Sequence, residues 1–203
     1  MKQNQTSQII KLGITLSVYC IVAAFALSVT YSVTLPQIQY QQKIATEQSM
    51  KTIYPNAVSF ELCIDDKEKP IFHNQSIDSN TSIDCIYEGI DQDNALLGYL
   101  VKGSAQGYGG PIIFIYGLNL DKTIHSVSVI EHSETPGLGA NVTKEYFLKQ
   151  FQSKSISDAF TVKQDITPIT ASTITSRALS EGIKKSVSYV VDHMTELSYE
   201  NNY

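Results

Sequence analysis

The sequence predicts an α+β protein: a single N-terminal transmembrane helix followed by a domain in which helices pack on a twisted antiparallel sheet. Three observations predict this fold. Residues 12–35 carry no charged side chain. Four later segments have the apolar or alternating composition of strands. Residues 174–194 repeat apolar side chains every three to four positions, as a helix does. The chain has 203 residues, 42% of them hydrophobic, and can therefore build a core.

The N-terminal apolar run predicts a membrane anchor. Between Ile9 and Leu35 the only charged residue is Lys11, and the run exceeds the roughly 20 residues that a membrane-spanning helix needs. A cleaved signal peptide is the alternative, but its apolar core would be only about 7–15 residues long. Lys2 and Lys11 precede the run, which by the positive-inside rule leaves the N-terminus in the cytoplasm. We therefore expect a single-pass protein of the cytoplasmic membrane, with a cytoplasmic tail (1–11), a transmembrane helix (12–35), a stalk (36–55) and an extracytoplasmic domain (56–203).

Apolar alternation and turn residues predict the elements of the sheet. Between the first two strands, Asp65–Asp84 is polar and predicts a loop or weak hairpin. Four glycines between residues 103 and 110 predict a tight turn that lets the backbone approach something flat or bulky. The strands are expected near 57–63, 85–102 (with a turn at 91–94), 112–116 and 124–131, and helices near 143–152 and 175–195.

The net charge argues against one class of function, and the cysteines raise the question of a disulfide. The formal net charge is −5 and there is no basic tract, which argues against nucleic-acid binding. Cys20 lies in the apolar run, where it is a small apolar residue. Cys63 and Cys85 flank the acidic loop, so an oxidising compartment would allow a disulfide between them and a reducing one would leave two thiols. The sequence leaves both possibilities open.

Two polar clusters are candidates for a site. Glu131, His132 and Glu134 end the last strand, and we interpret them as a hydrogen-bonded strand end because a single histidine falls short of a transition-metal ligand set. Residues 169–176 are rich in hydroxyls and uncharged, and they open the C-terminal helix. The first N–H groups of a helix lack intrahelical partners and attract anions. Thr173 and Thr175 therefore lie at a possible phosphate site, although Ser and Thr also serve as ordinary helix caps there.

The two motifs together resemble the FMN-binding domain family. Glu134-Thr-Pro-Gly-Leu-Gly139, preceded by His132, is similar to one family signature. Residues Thr170–Ser176 are similar to the motif Ser/Thr-Gly-Ala-Thr-x-Thr-Ser, whose fourth residue carries FMN through a phosphoester bond. The resemblance implies Thr173 as the FMN acceptor. Ala171 and Ser172 stand where the motif has glycine and alanine.

The resemblance also implies roles for the neighbouring residues. The phosphodiester would be bound by the first N–H groups of the helix, and the flavin ring would be covered by the segment after Glu134, whose carboxylate would make a polar contact near the ring. A separate flavin transferase would attach the FMN. The implied cofactor-binding residues besides Thr173 are Glu134, Thr135, Gly137, Leu138, Gly139, Ser172, Thr175 and Ser176, with no metal ligand.

The family includes the G subunit of the Rnf complex and the C subunit of the sodium-translocating NADH:quinone oxidoreductase, and the length resembles the former more closely. The implied function is that of an electron-carrier subunit, not an autonomous enzyme. It would serve a membrane complex that couples electron transfer between ferredoxin and NAD to Na⁺ or H⁺ transport. The alternatives are the C subunit and a flavin-free scaffold domain in which Thr173 only caps a helix.

Overall fold

The computed structural model describes residues 2–63 and 74–199, without the side chains of residues 2–7, 9 and 194–199. Its contacts divide the chain into two compact units, Met1–Ile44 and Ala45–Tyr203. The elements in chain order are α1 (Lys2–Ile53), β1 (Ser59–Leu62), β2 (Gln75–Ser76), β3 (Thr81–Ile90), β4 (Leu96–Gln106), β5 (Pro111–Asn119), β6 (Ile124–His132), a 3₁₀ turn (Gly139–Thr143), α2 (Glu145–Leu148), a second 3₁₀ turn (Lys149–Phe151) and α3 (Thr173–Tyr199).

The first unit is the N-terminal part of α1. It is long and apolar enough to cross a membrane, and its large apolar side chains, such as Leu16 and Phe25, are exposed in the isolated chain. The hydroxyls along it donate to the carbonyl four residues earlier, as Thr15 does to Lys11 and Thr30 to Ala26, both at 2.9 Å. Polar groups satisfied within the helix suit a hydrocarbon environment. The helix continues through Pro36.

The second unit is built on an antiparallel sheet with the strand order β1-β3-β4-β5-β6, and β2 pairs with β3. The predicted antiparallel sheet is therefore confirmed. The turn between β5 and β6 lies at residues 120–123. At the opposite end of these two strands, the loop of residues 107–110 precedes β5 and the segment from Ser133 follows β6. This second end of the sheet carries the candidate site.

Each face of the sheet is covered by a helix. On one face, α3 packs through Leu179, Ile183 and Val187, which are fully buried together with Phe114 and Ile86. On the other face, Met50, Ile53 and Tyr54 pack on Leu100 and Ile115. Part of the predicted stalk, from Ala45 onward, thus belongs to the compact unit.

Three local predictions differ from the structure in extent. The predicted loop or weak hairpin at Asp65–Asp84 forms a short hairpin, because β2 pairs with β3. Thr81–Ile83 also pairs with β4, which buries Thr81 and Ile83; residues 64–73 lie outside the described chain. The predicted glycine turn is shorter, because β4 continues to Gln106. A Cβ at Gly103 would approach Ser82 O to 2.6 Å, so this glycine allows close strand pairing. The predicted helix at 143–152 is shorter: α2 and the second 3₁₀ turn span residues 145–151 and bury Phe147 and Phe151.

Candidate functional site

The start of α3 is shaped by the residues just before it. Ala171 adopts a left-handed backbone conformation with φ 61°, which turns the chain into the helix. The Ser172 carbonyl then accepts the first helical hydrogen bond, from Ser176 N–H at 3.0 Å. The N–H groups of Thr173, Ile174 and Thr175 precede this bond and therefore have no partner within the helix. The first turn contains no acidic side chain, so its positive end is uncompensated from within the helix.

Ser176 is part of this turn's internal structure. Its side chain is fully buried. The Ser176 hydroxyl accepts a hydrogen bond from Ile169 N–H at 2.9 Å and donates to the Ser172 carbonyl at 2.9 Å. Ser176 therefore fixes the loop against the helix, and its hydroxyl faces inward. The implied role of Ser176 in binding the cofactor stays a prediction.

Glu134 joins three segments at the sheet end. One carboxylate oxygen, Oε1, accepts from Tyr108 N–H at 2.7 Å and Gly109 N–H at 3.2 Å. The other, Oε2, accepts from the Thr175 hydroxyl at 2.8 Å. Glu134 and Thr175 are both buried, and a Cβ at Gly139 would overlap the carboxylate. The carboxylate thus holds the glycine loop and the first turn of α3 together.

The strand end before Glu134 is hydrogen-bonded, in agreement with the interpretation of the sequence. Glu134 N–H donates to His132 Nδ1 at 3.2 Å. The glycines of the 107–110 loop are needed for this close assembly. A Cβ at Gly107 would overlap Glu134 Oε1, and one at Gly109 would overlap the Ser133 carbonyl. The flat object that the glycine loop accommodates is therefore at least in part the protein's own backbone.

A cavity of about 480 Å³ opens at this junction. Small-molecule sites commonly have volumes of about 300–1,000 Å³. Seven of the nine predicted site residues line the cavity, while Gly137 and Ser176 do not. Its full lining is Tyr108, Glu134, Thr135, Leu138, Gly139, Ala171, Ser172, Thr173, Ile174 and Thr175.

Three lining residues were missed by the sequence reasoning. Tyr108 and Ile174 are exposed (72% and 57%) and, with Leu138 at 44%, give the cavity an apolar rim. The signal for Tyr108 was present, because an aromatic residue among glycines is available for contact with a ligand. Ile174 was assigned to the apolar face of the helix, where its period placed it. Ala171 lines the cavity through the backbone turn that it makes.

The hydroxyls at the helix start differ in exposure. Ser172 and Thr175 are buried (7% and 2% exposed), whereas Thr173 is partly exposed. The Thr175 hydroxyl donates to Glu134. Of the three hydroxyls at positions 172, 173 and 175, that of Thr173 is therefore the most accessible to an incoming group. The difference in exposure therefore distinguishes Thr173 from Ser172, which their adjacent positions in the sequence do not.

The whole chain has close counterparts among known proteins. The G subunit of the ion-translocating oxidoreductase complex of Methanosarcina acetivorans is 31% identical over 190 residues, which cover 92% of this chain and 97% of that protein. This chain belongs to the G-subunit family. The G subunit of the Na(+)-translocating ferredoxin:NAD(+) oxidoreductase complex of Acetobacterium woodii is 30% identical, over 88% of this chain and 90% of that protein. The proton-translocating counterpart from Clostridium ljungdahlii is 27% identical, over 93% and 95%.

Two family models match separate parts of the chain, in agreement with membership of the G-subunit family. The RnfG N-terminal region matches residues 1–53, and the FMN-binding domain matches residues 107–188. The second match contains the glycine loop, Glu134 and the first turn of α3. In fold, the chain is similar to NqrC of Shewanella oneidensis, with a TM-score of 0.53 and 19% identity over 73% of this chain and 88% of that one. The C subunit of the Na(+)-translocating NADH-quinone reductase of Parabacteroides distasonis gives a TM-score of 0.51 and 18% identity over 79% and 97%.

Proposed function

We propose that this chain is the electron-carrier subunit of a membrane complex that couples electron transfer between ferredoxin and NAD to Na⁺ or H⁺ transport, with FMN as its cofactor. Similarity to G subunits along nearly the full length supports the proposal, and the names of two relatives specify Na⁺ and protons respectively. The observation that carries the proposal is the cavity at the start of α3, with Thr173 in its wall.

The residues of the cavity fit FMN at both ends of the molecule. The first N–H groups of α3 and its positive end suit a phosphate. The exposed apolar surfaces of Tyr108, Leu138 and Ile174 suit an isoalloxazine ring, which needs apolar contact on its faces. When bound, FMN supplies the electron-transfer chemistry, and the protein supplies position and electrostatic environment.

FMN would be attached covalently to the hydroxyl of Thr173 through a phosphoester bond. The partial exposure of Thr173 and the burial of Ser172 favour this acceptor over its neighbour. A threonine hydroxyl is a weak nucleophile on its own, so a separate flavin transferase would perform the attachment. Covalent linkage suits an extracytoplasmic carrier, since a cofactor that cannot dissociate is not lost from the cell.

Glu134 would act on the site by holding it in shape. Both of its carboxylate oxygens are engaged by protein donors. It fixes the distance between the glycine loop and the first turn of α3, between which the cavity opens. The carboxylate also lines the cavity, so a contact with the flavin would use lone pairs that those donors leave free.

The membrane arrangement completes the proposal. The N-terminal part of α1 would anchor the chain, with residues 1–11 in the cytoplasm and the domain carrying the cavity outside it. Anchoring would keep the cofactor beside the other subunits of the complex, with which it exchanges electrons.

In-gel flavin fluorescence tests the cofactor assignment. The full chain is expressed with a flavin transferase, denatured, and separated by gel electrophoresis. We expect a fluorescent band for the wild type and for Ser172→Ala, and a dark band for Thr173→Val, which removes only the hydroxyl. A dark wild-type band would support the flavin-free scaffold instead.

The identity of the complex is tested separately. The chain is purified from its native membranes with its neighbouring subunits, and the preparation is assayed with reduced ferredoxin and NAD. We expect ferredoxin-dependent reduction of NAD. A preparation that instead reduces quinone with NADH would contradict the proposed electron-transfer reaction.

A further inference from the structure

Arg177 is the only arginine of the chain, and it is the first charged residue after Asp165. It is exposed, and among the residues that the structure describes its guanidinium forms no ion pair. The two lysines of α3 are held elsewhere. Lys184 Nζ donates to the Ala159 carbonyl at 3.0 Å, and Lys185 Nζ contacts Asp78 at 2.6 Å. Arg177 is thus set apart from the other cations of the helix.

Arg177 lies near the positive end of α3, whose first turn also meets a carboxylate, that of Glu134, through the Thr175 hydroxyl. Arg177 is the fifth residue of α3, close to the helix end where the partial charge is positive and where cations are disfavoured. The first turn supplies no acidic side chain to offset it, and residues 166–176 carry no charge. A lone cation at this end of a helix would be stabilised by an anion bound there.

Helix geometry places Thr173 within reach of the Arg177 side chain, which is itself outside the cavity lining. Residues four apart on a helix are neighbours, with Cβ atoms about 5–6 Å apart. Long side chains on a helix lean toward its N-terminus, over the positions three and four residues earlier. For Arg177 these positions are Ile174 and Thr173, both of which line the cavity.

We infer that Arg177 is a positioning residue that pairs with the phosphodiester of FMN on Thr173; this inference rests on the function proposed above. A phosphodiester carries one negative charge on two non-bridging oxygens. The guanidinium presents parallel N–H donors that match two such oxygens, which a lysine ammonium cannot do. The helix N–H groups would hold the phosphodiester from the end of the helix and Arg177 from its side. This pair would fix the direction in which the flavin leaves Thr173 toward the cavity.

The test compares the stability that FMN attachment gives to different variants. Wild type, Arg177→Gln and Arg177→Lys are prepared as full chains in detergent, with and without co-expressed transferase, and unfolded with urea. Lys122→Gln serves as the matched control. It removes the same charge from an exposed position in the β5–β6 turn, at the far end of those strands from the cavity.

We expect FMN attachment to raise the folding equilibrium constant of the wild type and of Lys122→Gln equally. In Arg177→Gln this increase in the folding equilibrium constant should be about two- to five-fold smaller, which is the range of a partly exposed ion pair. In Arg177→Lys the increase should be intermediate. The wild-type rise should fall toward that of Arg177→Gln near 1 M salt, where the Debye length is about 3 Å. A role of Arg177 in folding alone would affect the unmodified and modified chains alike.

Two results would overturn this inference alone. FMN attachment could raise the folding equilibrium constant of wild type and Arg177→Gln by the same factor. Alternatively, Lys122→Gln and Arg177→Gln could reduce that factor equally. In both cases FMN on Thr173 of the wild type would leave the proposed function intact. A wild-type chain without FMN on Thr173, from a host that has the transferase, would overturn the proposed function and this inference with it.

Discussion

The backbone conformation of Ala171 explains why the FMN-attachment motif of the family has glycine at the equivalent position. Its φ of 61° lies in the left-handed region, which costs a residue with a Cβ roughly 1–2 kcal/mol. Glycine adopts this conformation without that strain. The turn at Ala171 is retained because it leads into the cap of α3, where the Ser172 carbonyl accepts from Ser176 N–H.

Replacing Ala171 with glycine should therefore stabilise the protein. Relief of the strain exceeds the entropy that glycine adds to the unfolded chain, and we expect a gain of about 0.5–1 kcal/mol in the free energy of unfolding. The measurement is urea denaturation of the unmodified chain. Ala178→Gly in the interior of α3 is the control, and it should lose about 1 kcal/mol. A loss of similar size in Ala171→Gly would contradict the account of the turn.

Glu134 is the residue on which the assembly of the site depends most. Replacing it with glutamine leaves one oxygen for three donors and turns an amide NH₂ toward N–H or O–H groups. We expect a loss of about 1–3 kcal/mol in the free energy of unfolding. Thr175→Val should lose less, and a double-mutant cycle should show coupling between positions 134 and 175.

A surface glutamate provides the control for Glu134. Glu145→Gln breaks a solvent-exposed pair with Lys149 and should leave the free energy of unfolding almost unchanged. If Glu134→Gln were as mild as Glu145→Gln, or if its effect added independently to that of Thr175→Val, the role of Glu134 in joining the segments would be refuted.

At the scale of single elements, the contact between α3 and β4 sets how closely the helix approaches the sheet. A Cβ at Gly182 would lie 2.6 Å from Ala105 Cβ. Alanine at position 182 would gain about 1 kcal/mol of helix propensity, but overpacking in a core typically costs about 1–3 kcal/mol. We expect the overpacking to dominate, because Ala105 and its neighbour Phe114 are buried.

Urea denaturation of Gly182→Ala tests which effect is larger. The variant should be less stable than the wild type, and Ala105→Gly in the same chain should restore part of the loss by removing the opposing methyl group. A Gly182→Ala variant more stable than the wild type would mean that helix propensity outweighs packing at this contact.

Whether Cys63, just after β1, and Cys85, in β3, form a disulfide is a question that the sequence left open. Both are free in the structure. Cys63 packs in the core beneath α3, while Cys85 Sγ donates to Tyr87 Oη at 3.3 Å, and Tyr87 packs on the opposite face. Residues two apart in a strand share a face, so the two sulfurs lie on opposite sides of the sheet. Burial raises the pKa of Cys63 to about 12 and also raises the pKa of Cys85.

Both thiols should therefore remain reduced and protonated in the native protein. We expect the peptides containing Cys63 and Cys85 to be alkylated in denaturant without prior reduction, and to react slowly at pH 8 in the folded chain. Mass spectrometry of the digested protein measures both. Alkylation of these two residues only after reduction would mean that they form a disulfide.

Elements were predictable where the side-chain pattern is regular. The apolar run of β5 follows from burial of both of its faces, and the alternation in β6 and the helical period of α3 follow from burial of one face. The pairing of Thr81–Ile83 with β4 was missed because the polar residues of this segment favour turns. Residues 152–172 form an irregular connection held by contacts such as Asp165 with Lys154 at 2.8 Å. Such long-range contacts leave no periodic signal in the sequence.

The candidate site was predictable only in part for the same reason. The motifs at 134–139 and 170–176 indicated the right segments, and most of their residues line one cavity. Exposure of Tyr108 and burial of Ser176 depend on how three segments meet around Glu134. The resemblance supplied the nature of the ligand, and the structure supplied the difference in exposure between Ser172 and Thr173.

At the scale of the whole molecule, an apolar N-terminal helix is followed by a domain with a cavity at one end of its sheet. Relatives with the same extent are named as G subunits of ion-translocating complexes. This arrangement suits a carrier that is kept at a membrane and exchanges electrons with neighbouring subunits. The proposed function depends on FMN being held on Thr173.

Peptide mapping of the chain purified from a host with a flavin transferase tests this claim most directly. Trypsin releases residues 164–177 as one peptide, since it cleaves after Lys163 and after Arg177. We predict that this peptide carries the mass of FMN less one water and that fragmentation assigns the addition to Thr173. An unmodified peptide, or an addition on Ser172 or Thr175, would contradict the account.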